Sequence, residues 1–350
     1  MRNIAYIELD THAEIALNFW TLSQQFQSVK LDFYLSEKIL GNFHNVSKKD
    51  IIKSNEKTIL EQLAHKKYDA IILGTCHRYF QTYLRICKKY PTALLVHNLN
   101  FIQQSPWQLL SKVGKKDKIY RLKLLIKEGL LSAPQIYNRA EKLWVLDENL
   151  LTTTSKFKKK TESISIFYTD IFKKTTNEIL KVTIPGAVSQ ERRNYEHVFS
   201  KIANFQHPME IVFLGKAQGK ELKQIEQLEK VIPKNIQLRY FDHKVAQELF
   251  DSEISSATLL WCPLQEKNNF FSQEEIYGKT KMSGNLGDAI KYGKPAIFPS
   301  SYPSLYPFIL KEENDVEQQI IGLQNFDYDF SKEFSIEKIA KKLEQILENW

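Results

Sequence analysis

Cysteine is scarce in this chain of 350 residues: Cys76, Cys87 and Cys262 are all there is. They lie far apart and form no zinc or disulfide spacing, so they read as reduced core or loop thiols of a cytosolic protein. Long apolar runs are missing as well. No stretch reaches the length that crosses a bilayer, and the opening MRNIAYIELD has a strand pattern rather than that of a signal peptide. No repeat of the kind that builds solenoids is present. No acidic doublet stands where it would clamp a metal, so the reading expects neither a metal nor a cofactor.

What is there is a large apolar fraction and a positive charge. Hydrophobic residues make up 43%, enough for real cores and too much for a disordered chain. The net charge is +8. A nucleic-acid partner is not supported, because the chain shows no zinc pattern, no aromatic RNA-binding strand and no isolated basic helix–turn–helix. Anionic small molecules and anionic membrane surfaces account for the same charge.

Strand and helix patterns alternate along most of the length. Apolar strands are expected at 3–9, 30–35, 68–73, 93–96 and 142–146, with helices at 14–26, 56–65, 79–89 and 107–129. A second series follows, with strands at 180–184, 211–214, 236–241, 258–262 and 296–298, a possible short strand at 164–168, and a terminal helix at 334–350. Such alternation implies parallel sheets covered by helices on both faces. The length suits two domains. The polar stretch 152–162, with a lysine run at 158–160, is the expected boundary. The expectation is one domain over 1–160 and another over 161–333, with helix 334–350 packing back on the first.

The richest stretch is YGKTKMSGNLGDAIKYGKPAIFP, Tyr277 to Pro299. Gly278, Gly284 and Gly287 allow close backbone approach, Lys279 and Lys281 bring positive charge, and Ser283 and Gly284 precede a helix starting near Asn285. Asp288 is expected in the first turn of that helix. Free helix N–H groups, cations and one carboxylate suit a sugar nucleotide, with the diphosphate on the amides and lysines and the ribose on the acid. The plainer reading is an ordinary glycine loop with an acid at a helix start.

Gly284 through Ile297 resembles the Gly-x-x-x-Glu-Ala-x-x-x-Gly-x-Pro-Val-Ile pattern of glycosyltransferases of the GT-B fold, of the bacterial family 1 and family 4 type. Asp288 stands where that family usually has Glu, and Thr280 stands where its partner Glu would fall, so the sugar-binding half is not reproduced. The resemblance extends over Val182 to Pro299: IPGAVSQERRNYEHVF is similar to the family's opening strand, glycine turn and basic segment, and PMEIVFLGKAQG to its next strand end. It implies an α/β fold of two Rossmann-like domains facing each other across a cleft. It further implies a nucleoside-diphosphate sugar as co-substrate. On this basis the donor site would use Gly186, Arg192, Arg193, Lys216, Lys279, Lys281, Ser283, Gly284 and Asp288. Two or three of the five cations would reach the diphosphate. Phe241, at a strand's carboxyl end, would serve equally as a platform for the base or as core.

The acceptor side is less specific. The loop ELDTHAEIAL carries Asp10, His12 and Glu14 where inverting members hold a catalytic group. His12 has the pKa range of a general base, and Asp10 or Glu14 would orient it. Otherwise Asp10 or Thr11 caps a helix and His12 sits in its first turn. His97, Asn98 and Asn100, in HNLNF after a strand, suit sugar hydroxyls. Cys76-His77-Arg78 ends the neighbouring strand, where His77 would line the acceptor cleft or, the slightly preferred reading, be a loop residue. The segment from Trp107 to Lys127 mixes apolar residues with lysines, either as an anionic-membrane contact or as a helical pair with a solvated basic face; the break at Gly114 favours the second. The reading is therefore a cytoplasmic glycosyltransferase, working at the inner face of the membrane if it docks there. Its acceptor would be a glycan or lipid-linked sugar of bacterial surface polysaccharide or glycoconjugate synthesis. An epimerase or hydrolase of the same fold, or a non-catalytic basic interaction protein, are the alternatives.

Overall fold

A computed structural model describes residues 1–43, 47, 49–153, 157, 160–169 and 179–350. Its first sheet contains β1 (Arg2–Glu8), β2 (Val29–Leu35), β3 (Ile51–Lys53), β4 (Ala70–Leu73), β5 (Thr92–Leu95), β6 (Lys142–Val145) and β7 (Thr161–Ser163). They lie in the order β3-β2-β1-β4-β5-β6-β7 and every pairing is parallel. The second half starts with β8 (Leu180–Pro185), β9 (Met209–Lys216), β10 (Ile236–Phe241) and β11 (Leu259–Trp261). An antiparallel hairpin follows, β12 (Lys267–Phe270) and β13 (Gln273–Ile276), before β14 (Ala296–Phe298) and β15 (Ile309–Lys311) complete the second sheet. That sheet has the order β10-β9-β8-β11-β14-β15, also parallel.

The central strands are apolar on both faces, as a sheet covered on two sides demands. Ile4 through Ile7 in β1, all of β4, and Val182 and Ile184 in β8 are fully or nearly fully buried. In both sheets the strand order reverses beside the first strand, between β1 and β4 and between β8 and β11. Such a reversal leaves a crevice at the strands' carboxyl ends. The loops after β1, β4 and β5 meet the segment between β11 and the helix Gly284–Tyr292. Across that junction the Leu99 amide donates to the Thr280 carbonyl at 2.9 Å.

Several expectations need correction. The span 164–168 is not a strand; it crosses from the first sheet as extended chain, with Ile164, Ile166 and Tyr168 buried in the core. Residues 161–163 pair with β6 and so belong to the first sheet rather than to the second half. Within the boundary stretch, 154–156 and 158–159 lie outside the described residues. The segment 107–129 forms two helices, Pro106–Val113 and Lys118–Lys127, separated at Gly114. The hairpin is the main element not anticipated: KNNFFSQEEI carries polar residues on both strands, so no apolar alternation marks it.

The last helix, Ile336–Glu348, packs on the helix Ala13–Ser23 of the first half. Ser335 caps its start, accepting from the Lys338 amide at 3.4 Å. Ile339, Leu343 and Leu347 recur on one buried face. Glu344 accepts from the Gln27 amide at 2.6 Å and from the Ser28 amide at 2.7 Å, and Arg2 donates to the Leu347 and Glu348 carbonyls. Leu343 has 0% exposure, so Leu343→Ala is expected to cost about 2–5 kcal/mol. Urea unfolding reads this directly; a loss under half of that range would mean the helix contributes little to the first half.

Candidate active site

The second half's side of the cleft is built from backbone first. Ser283 caps the helix Gly284–Tyr292, its hydroxyl accepting from the Asn285 amide at 3.2 Å. Gly293 ends it in a left-handed conformation, φ 60°, with Pro295 beyond. Gly287 is needed for packing, since a Cβ there would lie 2.6 Å from the Phe167 ring. The loop after β8 turns at Gly186, φ 102°, and the carbonyl of Gly186 presses on Gly215, whose Cβ would meet it at 2.2 Å. The Arg193 guanidinium lies over Gly186 for the same reason: only a residue without a side chain leaves that space.

Asp288 falls in the second turn of its helix, not the first, because the helix begins at Gly284. Its Oδ2 accepts from the Asn285 side-chain amide at 3.0 Å, and Asn285 Oδ1 accepts from Arg193 at 3.2 Å. Burial pushes the Asp288 carboxyl up to about 6, with the Asn285 hydrogen bond and the charges of Lys291 and Arg193 opposing and that of Glu14 adding to the rise. Glu14 belongs to the other half of the molecule, so this influence carries across the cleft.

On the first half's side of the cleft His12 occupies the position before the helix Ala13–Ser23, in a left-handed conformation with φ 59°. Neither Asp10 nor Thr11 caps that helix; the His12 carbonyl accepts its first amides. A non-glycine residue held there is strained, which is a mark of functional loops. His12 Nδ1 lies 3.3 Å from Glu14 Oε1. The carboxylate can only accept, so Nδ1 carries the proton and Nε2 is left basic. Desolvation raises the Glu14 carboxyl, yet His12 outweighs it and holds the group below its ordinary value. Asp10 instead pairs with Arg78 at 3.0 Å, so of the two acids expected to orient His12 only Glu14 touches it.

His12 stacks on His97 with ring centroids 3.9 Å apart and planes 13° apart. His97 donates through Nε2 to the Gly74 carbonyl at 2.9 Å. Burial, then the repulsion a protonated ring would meet from His12 and His77, keep His97 well below the ordinary histidine value. Glu8, at the end of β1, anchors this loop: it accepts from the Asp10 amide at 3.1 Å, the Thr11 amide at 3.3 Å and the Thr75 hydroxyl at 2.6 Å. Burial lifts the Glu8 carboxyl to about 7 against those hydrogen bonds.

Asn98 and Asn100 are engaged by the hairpin. With the Asn98 amide oriented to satisfy its neighbours, it donates to the Glu275 carboxylate at 2.9 Å. Asn100 donates to the Glu274 carbonyl at 2.6 Å. Both amides thus bond to β13, Asn98 buried and Asn100 partly exposed. Glu275 is 1% exposed and burial raises its carboxyl to about 7, opposed by Lys281 at 3.4 Å. Phe241 is buried in the core with Arg239 over its ring. Of the five cations, Arg193 and Lys281 contact other residues of the cleft, while Arg192, Lys216 and Lys279 are exposed.

Sequence reasoning missed Glu8, Glu275 and Asn285 and undervalued His77, which packs against Phe101 and Phe270 at the cleft. Desolvation brings His77 to about 3, with the charges of His12 and Lys281 adding to the fall. One signal was available: Glu8 follows the buried run Ile4 to Ile7 at the end of its strand.

No family model matches the chain, and no curated protein matches it in sequence. Solved structures do match over the whole length. Anabaena Alr3699/HepE in complex with UDP and glucose is 10% identical, with a TM-score of 0.60 over 100% of both chains. A glycosyltransferase from Rickettsia africae is 8% identical, with a TM-score of 0.61 over 99% of this chain and 98% of its own. UDP-GlcNAc 2-epimerase from Methanocaldococcus jannaschii is 11% identical, with a TM-score of 0.53 over 99% and 100%. The chain has the GT-B fold of the glycosyltransferases: two Rossmann-like domains facing each other across a cleft.

A raised pKa makes Asp288 a stability cost at neutral pH. The folded state holds the proton longer than the unfolded chain, so stability falls as pH rises from 3.8 toward about 6. Asp288→Asn is therefore expected to raise the melting temperature at pH 7 while leaving it nearly unchanged at pH 4. A lower melting temperature at pH 7 would show that the ionised acid stabilises the fold instead.

Proposed function

We propose that this protein is a glycosyltransferase that moves a sugar from a nucleoside-diphosphate sugar to a hydroxyl acceptor. The observation that carries the reading is the apposition of two groups across one cleft: the capped helix with its buried Asp288, and the strained His12 paired with Glu14. In this reading the diphosphate lies at the N-terminus of Gly284–Tyr292, where free amides and Arg193 meet growing negative charge. Arg192, Lys216, Lys279 and Lys281 are the further cations within this proposal, and no metal is called on. Asp288 accepts from the ribose. His12 Nε2 takes the proton of the attacking hydroxyl, and Glu14 stabilises the imidazolium that forms. Closure over the reactants keeps water out so that transfer outruns hydrolysis.

The acceptor is a glycan or a lipid-linked sugar of bacterial surface polysaccharide or glycoconjugate assembly. A membrane contact at the inner face of the cytoplasmic membrane supports the lipid-linked case. Among the described residues no helix is long and apolar enough to cross a membrane. The helices Pro106–Val113 and Lys118–Lys127 nevertheless leave Trp107 80%, Ile119 89% and Ile126 70% exposed, with Leu122 between the last two. Ile119, Leu122 and Ile126 form one stripe, and Lys116, Lys118, Lys123 and Lys127 surround it. We expect sedimentation with vesicles containing phosphatidylglycerol, weakened by salt and lost in the double variant Ile119→Ser, Ile126→Ser. Equal binding to pure phosphatidylcholine, or no loss in the variant, would remove the contact.

An epimerase or hydrolase of nucleotide sugars is the second reading, favoured by the likeness to the M. jannaschii enzyme. Free sugar released from a donor without acceptor would support it. The test of the leading reading is a melting-temperature screen with UDP, GDP and ADP, followed by turnover with the matching sugar nucleotides. His12→Ala is expected to lower kcat about 10²–10⁴-fold with the nucleotide Kd nearly unchanged. Near-normal kcat would leave His12 a structural residue, and no shift with any nucleotide would favour a non-catalytic protein.

A further inference from the structure

The hairpin is an element of the donor half that reaches into the acceptor half. Its tip holds Phe271 and Ser272 at φ 53° and 55°, both non-glycine residues in the left-handed region. That strain is held by contacts on the far side of the cleft. Phe270 packs on His77 at 4.6 Å and on Phe101 at 5.5 Å. Phe271 lies beneath the Arg121 guanidinium at 4.5 Å, and Arg121 donates to the Ser272 hydroxyl at 2.7 Å. Lys112 donates to the Gln273 side chain.

Beneath this tip lies a cavity of about 560 Å³, within the usual range of ligand pockets, about 300–1,000 Å³. The first half contributes the loop at Asp10 and Thr11, with His77, Phe101 and the segment 116–124; the second contributes Glu191 and the tip 269–272. Aromatic rings and hydroxyl-binding groups alternate around it, the pattern a pyranose needs: C–H faces against rings, hydroxyls against acids and amides. The lining carries no excess of positive charge: Asp10, Asp117 and Glu191 stand against Lys116 and Arg121. Arg121 is bonded to Ser272 and to the Lys112 carbonyl, and Lys116 pairs with Glu191 at 3.5 Å. Among the described residues Asp117 has no ion pair, and it does not cap its own helix. A phosphate or carboxylate would find no surplus of positive charge here.

We propose that the hairpin Lys267–Ile276 is an acceptor-specificity element, whose tip closes an aromatic subsite for an uncharged sugar ring beside the His12 loop. The inference rests on the glycosyltransferase reading and names the acceptor chemistry of that site. The ring stacks between Phe270 and Tyr120, with Asp117 and Asn269 accepting and donating at its rim. Because the hairpin runs from β11 toward the helix that carries Asp288, one continuous segment serves both substrates.

Saturation-transfer NMR tests this on the full chain, with whichever of UDP, GDP or ADP raises the melting temperature held in excess. The neutral probes are cellobiose, lactose and N,N′-diacetylchitobiose; the anionic probes are glucose 1-phosphate and digalacturonate. The expected result is transfer to at least one neutral disaccharide and none to the anionic pair. Phe270→Ala, Tyr120→Ala and the solvent-exposed Asn269→Ala should each weaken it fivefold or more, with the nucleotide-induced shift retained. Transfer only to the anionic probes, transfer to no probe, or transfer unchanged in all three variants would overturn the proposal. Loss of the nucleotide shift in the unmodified protein would instead overturn the glycosyltransferase reading beneath it.

Discussion

Two parallel sheets meet at their carboxyl ends, and the position of each group in the cleft follows from that constraint. A parallel strand delivers its C-terminal loop to one edge, so β1, β4 and β5 all present their loops together, as do β8 and β11 from the other side. Neither edge can be satisfied alone. Asn98 and Asn100 find partners on β13, and the influence of Glu14 on Asp288 exists only because the halves face each other. The last helix reinforces the arrangement by returning from the second half to pack on the first, where Glu344 takes amides from the loop before β2.

Within that frame the cleft collects acids that burial makes hard to ionise. Glu8 and Glu275 are both raised to about 7, and Asp288 to about 6, each chiefly by loss of water. They divide the work by their partners. Glu8 receives amides and a hydroxyl and fixes the His12 loop; Glu275 receives Lys281 and Asn98 and ties the hairpin root to the first half. Asp288 has the Asn285 amide as its hydrogen-bond donor, and a carboxylate with remaining acceptor capacity is what ribose hydroxyls require.

The elements that were legible in the sequence are those whose burial dictates composition. A strand such as AIIL is apolar throughout because both its faces are covered, and the stretch from Gly284 to Pro295 announced its helix through the cap and the closing glycine. The hairpin was illegible because its contacts are polar and distant: Asn100, Lys112 and Arg121 lie far from it in sequence. The same reason explains why Asn98 and Asn100 looked available for an acceptor. Spacing places a residue on a loop; it does not say which residue of the other domain reaches it first. His12 was singled out for its chemistry, but its strained backbone and its stack on His97 depend on a neighbour 85 positions away, beyond the reach of local pattern.

The central claim is that the second half holds a nucleoside diphosphate at the start of the helix Gly284–Tyr292. A crystal structure with the nucleotide that gives the largest thermal shift tests it most directly. The account predicts a ribose hydroxyl within hydrogen-bond distance of the Asp288 carboxylate and the diphosphate against the amide of Gly284, with Arg193 beside it. Nucleotide bound elsewhere at full occupancy, with Asp288 still held by Asn285 alone, would contradict it.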